Sequence, residues 1–293
     1  RLPAPTSHLV WFGKGFEYRP PSEIASPYSG AYTGPHLWRK TMETLSPWLN
    51  DIFRWAHVVA GVLWIGLLYF FNWVNAQVVT QLDAETKQKV LPQLLPRTLY
   101  FFRWGAAFTW ITGLLLLHMV YHQGFMKTED LAGNAALIGL VIVLLTPVLY
   151  DILWKSLSGM TAVGISFAGV AAIVWFLQEN LGYSYGTTTI HLGAIFGTIM
   201  AFNVWMRIWP AQRKIIAATA AGEAPDAALP ALAGLRSKHN TYMSVPLIYT
   251  MVVQHHGALN GHGWQGLLIV VAIGWFITCW VYKKSASPAA AAY

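Results

Sequence analysis

Long apolar runs alternate with short polar connections along most of the chain. The apolar cores fall near 54–78, 99–122, 133–154, 160–178, 188–209, 241–257 and 264–282, each close to the roughly 20 residues that a helix needs to cross a bilayer. The connections differ in character. "TQLDAETKQKVLPQLLPRT" is charged, "KTED" is short, and "AAGEAPDAALPALAGLRSK" is long and rich in Ala and Pro. Residues 1–50 ("GFEYRPPSEIASPYSGAYTGPHLWRK" within them) have no helical period and read as an extramembrane tail, and 285–293 read as a flexible end. The pattern predicts an all-α integral membrane protein, a bundle of about seven transmembrane helices over residues 51–284.

Composition agrees with lipid as the main solvent. Hydrophobic residues make up 55% and charged residues 11% of the 293, against about 25% charged in a soluble domain, and the mean hydropathy is +0.44. The formal charge of +7 is therefore a matter of membrane topology and not of nucleic-acid binding. Of the nineteen Lys and Arg, twelve fall on one side: Lys87, Lys89, Arg97, Arg103, Lys155, Arg207, Arg213, Lys214, Arg236, Lys238, Lys283 and Lys284. The positive-inside rule places that side in the cytoplasm. The tail then faces the periplasm, and the expected location is a bacterial inner membrane. Cys279 is the single cysteine, which excludes an internal disulfide and a Cys-x-x-Cys-His haem attachment.

Threading the histidines onto that topology brings six to one membrane level. His57 lies near the start of the first span. His118 and His122, four apart, share a face at the end of the second. His191 opens the fifth, and His255 and His256 close the sixth. A lone histidine near a helix end is commonly a hydrogen-bonded interfacial side chain, but ionisable residues within spans are costly and by default functional. Neutral imidazole suits iron, copper and zinc, and helix bundles hold haem between facing histidines. One or two bis-histidine b haems are the expected cofactor. A copper or non-haem iron site from His118, His122, His255 and His256 is the alternative. Gly61, Gly193 and Gly197 lie beside His57 and His191 and could admit a macrocycle or close helix packing. Arg54, one turn before His57, could meet a propionate or a lipid phosphate.

A second grouping lies at the opposite membrane face. "WMRIWPAQRK" and "RSKHN" offer Arg207, Arg213, Lys214, Arg236, Lys238, His239 and Asn240 at one level. These read as a basic belt on anionic lipid or as an anion pocket for a small substrate, a quinone head group or propionates. Asp151, after Tyr150, reads as a solvated helix end.

The strings "FRWAHVVAGVLWIG", "FFRWGAAFTWITG", "HLGAIFGTIMAFNVWMRIWPAQRK" and "RSKHNTYMSVPLIYTMVVQHH" resemble the membrane domain of the bacterial membrane-bound urate hydroxylase (urate oxidase) family. The resemblance runs through residues 52–283 and touches His57, His191, His239 and His255 together with Asn203, Pro210, Asn240, Tyr242 and Pro246. It implies a membrane domain followed by a further span and a cytochrome c domain, with electrons passing from urate to a cytochrome. The cytochrome motif is absent here, and His118, His122 and His256 lie outside the family pattern. The expected function is electron transfer from a small substrate such as urate, or from a quinol, to a periplasmic cytochrome c. The alternatives are a haem- or copper-binding subunit of a larger respiratory complex and a transporter-like protein without a redox centre.

Overall fold

A computed structural model describes residues 9–12, 15–18, 35–124, 126, 131, 133–253 and 260–287, with side chains from residue 46 onward. The chain divides into two compact units, residues 1–49 and 50–293. In the first, β1 (Leu9–Phe12) pairs antiparallel with β2 (Gly15–Tyr18), Leu9 opposite Tyr18 and Phe12 opposite Gly15. The tail thus holds a β-hairpin where no element was predicted. Helix α1 (Pro35–Tyr69) also begins well before the expected start of the first span. Proline suits a first helical position, where its missing N–H is no loss.

The second unit is helical among its described residues. After α1 come α2 (Ala76–Gln81), α3 (Ala84–Leu116), α4 (Ala135–Ser156), α5 (Gly159–Trp175), α6 (Tyr185–Asn203), α7 (Trp209–Ala220), α8 (Ala228–Val252) and α9 (Gly263–Ser285). Four π-helical turns extend or join them, at Phe70–Asn75, Leu117–His122, Phe176–Asn180 and Val204–Ile208. Six helical stretches are long and apolar enough to cross a membrane: Ser46–Gln81, Ala84–His122, Ala135–Ser156, Gly159–Asn180, Tyr185–Ala220 and Gly263–Ser285. The expected sixth span falls on the second half of α8, a continuous helix that is not in that set; Arg236, Ser237, Lys238, His239 and Asn240 lie in its first half. The chain is a multi-pass membrane protein.

Helix α6 is the centre of the bundle. It packs against α4, α8 and α3, and almost every residue from Tyr185 to Asn203 is buried. Its sequence "GTTTIHLGAIFGTIMAFN" explains this position, because Gly, Ala and Thr let neighbouring backbones approach where lipid gives no hydrophobic drive for association. Polar side chains add ties between helices. Trp110 Nε1 donates to Thr198 Oγ1 at 3.2 Å, joining α3 to α6. Asn72, in the π turn after α1, donates to Ser237 Oγ of α8 at 2.8 Å and accepts from the Tyr282 hydroxyl of α9 at 2.9 Å. Such hydrogen bonds contribute about 0.6 to 2 kcal/mol each in a membrane.

Two local devices set the helix geometry. Asp83 caps α3, its carboxylate accepting from the Thr86 N–H at 2.8 Å, which holds the carboxyl below the usual carboxylate range. A lowered carboxyl stabilises the fold above its unfolded pKa and loses that effect as the pH falls through the folded value. Helices α8 and α9 meet where Gly274 faces Pro246, so closely that a Cβ on Gly274 would stand 2.7 Å from Pro246 Cδ. Gly274→Leu should therefore destabilise the protein by about 1–3 kcal/mol through overpacking. Gly66, with open space around it, should accept alanine without loss. Thermal unfolding of both variants in detergent checks this.

Candidate functional site

The second and fifth apolar spans bring two of the predicted histidines together. His122 ends the π turn that closes α3, and His191 lies one turn and a half into α6. Their Nε2 atoms are 3.3 Å apart and the rings lie 24° from parallel. His191 is fully buried, and its Nδ1 is 2.8 Å from the Thr187 carbonyl oxygen. That oxygen can only accept, so Nδ1 carries the proton and Nε2 presents its lone pair toward His122. A carbonyl holding the far nitrogen is the arrangement that orients a metal-binding imidazole.

The ring of Tyr183 packs against His191 with centroids 4.8 Å apart, and its hydroxyl donates to the Ala135 carbonyl at 2.8 Å. Gly139 of α4 closes this side. A Cβ there would overlap the Tyr183 hydroxyl and stand 3.2 Å from His191 Nε2. Tyr183 and Gly139 were not among the residues singled out in the sequence. A glycine within an otherwise apolar helix was the only signal for the second.

The other predicted ligands are placed separately. His57 Nδ1 is 2.9 Å from the Thr109 carbonyl oxygen and 3.2 Å from Thr112 Oγ1, so it too carries its proton on Nδ1 and leaves Nε2 as the basic nitrogen. Gly113 makes room for it, since a Cβ would stand 2.9 Å from His57 Cε1. His118 lies 6.1 Å from His122 between ring centroids and 3.4 Å from Gln123 Nε2 at the surface. His255 and His256 fall outside the described residues. Among the described residues no third His, Cys, Asp or Glu joins a pair to form a metal-binding group.

The glycines predicted to flank a cofactor serve mainly helix packing. A Cβ on Gly193 would come within 2.7 Å of Met251 Cε, so α8 fills that space. Gly61 and Gly197 face Thr109 and Leu247 at 3.7 and 3.6 Å, ordinary contact distances. Arg54 is exposed and bonds Asn50 one turn earlier.

Two haem ligands stand on opposite faces of a macrocycle, about 4 Å apart at metal–nitrogen distances near 2.0–2.1 Å. His122 and His191 are closer than that and leave no plane between them. As a pair they would suit one small ion rather than a macrocycle. For haem, the donor chemistry of His191 and His57 fits, each through Nε2, with a second ligand other than His122 for His191.

The basic grouping at the other end is a closed network. Asp151 is buried, 6% exposed, where a solvated helix end was expected. It takes Arg207 through both its oxygens, Arg236 Nη2 at 3.0 Å and Lys155 Nζ at 2.9 Å. Arg207 and Arg236 are therefore engaged by a carboxylate and do not form an open anion pocket. The reason is desolvation: a buried guanidinium requires a partner. Arg236 is 1% exposed and, among the described residues, its Nε and Nη1 meet no acceptor within hydrogen-bond geometry, but its guanidinium carbon sits 5.0 Å from the centre of the Tyr150 ring, a cation–π contact. Asn240 donates to the Met200 carbonyl at 3.0 Å and accepts from Asn203 at 2.9 Å. His239 accepts a place beside Tyr150, its Nδ1 2.7 Å from the hydroxyl.

Ionisable groups inside a membrane bundle are costly, which makes the two ends of α6 its candidate functional regions. Residues 83–293 match the family described as urate oxidase N-terminal, and the chain belongs to that family. No curated protein and no solved structure matches it.

Removing the charge of Asp151 tests the network. Asp151→Ala leaves two guanidinium groups without their carboxylate and should cost about 3–5 kcal/mol, read as a lowered unfolding midpoint or loss of expression. Gly139→Ala should displace the Tyr183 ring and abolish its bond to Ala135, read as a changed tyrosine signal in near-ultraviolet circular dichroism.

Proposed function

We propose that this chain is a membrane-bound redox protein of the urate-oxidising kind, passing electrons from urate or a related small molecule, or from a quinol, to a periplasmic cytochrome c. The family match supports the urate connection. The observation that carries the reading is His191, a fully buried imidazole in a membrane helix. Its Nδ1 is fixed by Thr187 and its Nε2 is left as a ligand nitrogen. A charged or basic group in that setting is retained for function.

In this reading His191 and His57 would each offer Nε2 as a ligand to b-type haem, which would supply a one-electron store between donor and cytochrome. Thr187 and Thr109 fix the tautomers through their carbonyls. Gly113 and Gly139 keep their neighbouring side chains from crowding the rings. The tail and the His57 end face the periplasm, following the distribution of Lys and Arg, which sets the donor nitrogens near the surface where a cytochrome docks. The membrane is a bacterial inner membrane.

A second reading follows from the 3.3 Å separation of His122 and His191: a copper or non-haem iron ion held in cis by a subunit of a larger respiratory complex. Metal analysis and a pyridine haemochrome spectrum of the purified chain separate the two. The expected result is haem b, with urate-dependent reduction of its absorbance. His191→Ala should remove at least half of the low-spin signal, and an unchanged spectrum would show that His191 is not a ligand. Copper without haem would favour the second reading.

A further inference from the structure

A cavity of about 890 Å³ opens between α4, α5, α6, α8 and α9, near the upper end of the size of small-molecule sites. Its walls are almost wholly apolar. The outer ones include Met160 and Phe276, 81% and 73% exposed on the lipid-facing surface. A ligand can therefore enter sideways from the bilayer. Polar atoms are few, and Tyr150 and His239 are among them.

The protonation of His239 follows from its neighbours. Asn203 Nδ2 donates to the Tyr150 oxygen at 3.1 Å, so the Tyr150 hydrogen must go elsewhere. Among the described residues His239 Nδ1, at 2.7 Å, is the acceptor in reach. With Nδ1 accepting, a neutral imidazole carries its hydrogen on Nε2. That N–H has no hydrogen-bond partner among the described residues. An N–H in an apolar cavity calls for a carbonyl oxygen on whatever fills it. The head end is also aromatic: Trp154 lies 4.0 Å from the His239 ring between centroids, and Tyr150 and Tyr242 line the same space.

We propose that this cavity binds a lipid quinone, with a head-group carbonyl accepting from His239 Nε2, the ring among Trp154, Tyr150 and Tyr242, and the tail leaving past Met160 and Phe276. A planar ring with a carbonyl and a long apolar tail matches both the polar end and the lipid-facing mouth. A phospholipid offers the tail but no flat ring for the aromatic end. The proposal deepens the redox reading above by naming a lipid-soluble partner at the end of the bundle away from His191.

The test uses the full chain in phospholipid nanodiscs free of quinone, titrated with decylubiquinone and followed by quenching of tryptophan fluorescence. Saturable quenching is expected. Gly169 lines the cavity with open space where its Cβ would be, so Gly169→Leu should fold normally while filling the site, and should weaken binding at least tenfold. His239→Leu should also weaken it at least tenfold. Quenching that does not saturate, or that is equal in the wild type and both variants, would overturn the proposal. So would solvent extraction of the protein purified from membranes that yields phospholipid alone, with decylubiquinone unable to displace it. Saturable quinone binding by a chain that holds no redox metal would sustain this site and sink the redox reading. Haem with no saturable binding would do the reverse.

Discussion

One buried carboxylate holds the bundle together. Asp151 of α4 takes Arg207 from the π turn after α6 and Arg236 from α8, so three helices that lipid would not press together share a single ionic joint. Leaving any one of these groups unpaired in the low-dielectric interior would cost several kcal/mol. The placement of the three elements is one in which each buried charge has an opposite charge beside it. Arg236 then stacks on Tyr150, Tyr150 bonds His239, and Asn203 and Asn240 close the circuit back to α6. The polar order at this end is inherited from that joint.

At the opposite end, chemistry is arranged with fewer charges. His57 and His191 are both oriented by backbone carbonyls and not by acids. Imidazole held this way has its ring orientation fixed and presents Nε2 as its free nitrogen. The bundle thus carries two kinds of polar chemistry along the axis of α6: buried imidazole at one end and an ionic joint at the other, with the apolar cavity near the latter. This division explains why the positive residues do not serve as an open anion site.

Much of this was legible in the sequence because lipid leaves a strong imprint. The apolar runs located the helices, and the histidines stood out as costly residues within them. The meeting of His122 and His191 was not legible, since they are 69 residues apart and the order of helices around a bundle is set by contacts that no local period records. Asp151 was read as solvated because its neighbours in sequence are the end of a helix; beside the local Lys155, its two guanidinium partners come from 56 and 85 residues away. The first half of α8 was read as part of a connection before the sixth span, whereas it is helical and its Arg236 and Asn240 bond Asp151 and Met200. The hairpin of the tail was missed, although "LVWF" and "GFEY" flank "GK", because aromatic richness was taken as irregular packing.

The π turn at Val204–Ile208 carries a consequence of its own. A π turn accommodates a surplus residue in a helix and rotates everything beyond it by about one position. Here that rotation lies between Asn203, which faces Asn240, and Arg207, which faces Asp151. Asn203 also bonds Tyr150 of α4, so the helix meets that neighbour both before the turn and within it. Shortening the chain by one residue within it would restore a regular helix and swing the residues beyond the cut by about 100°, off their present partners. The joint between helices is therefore written in chain length as much as in charge.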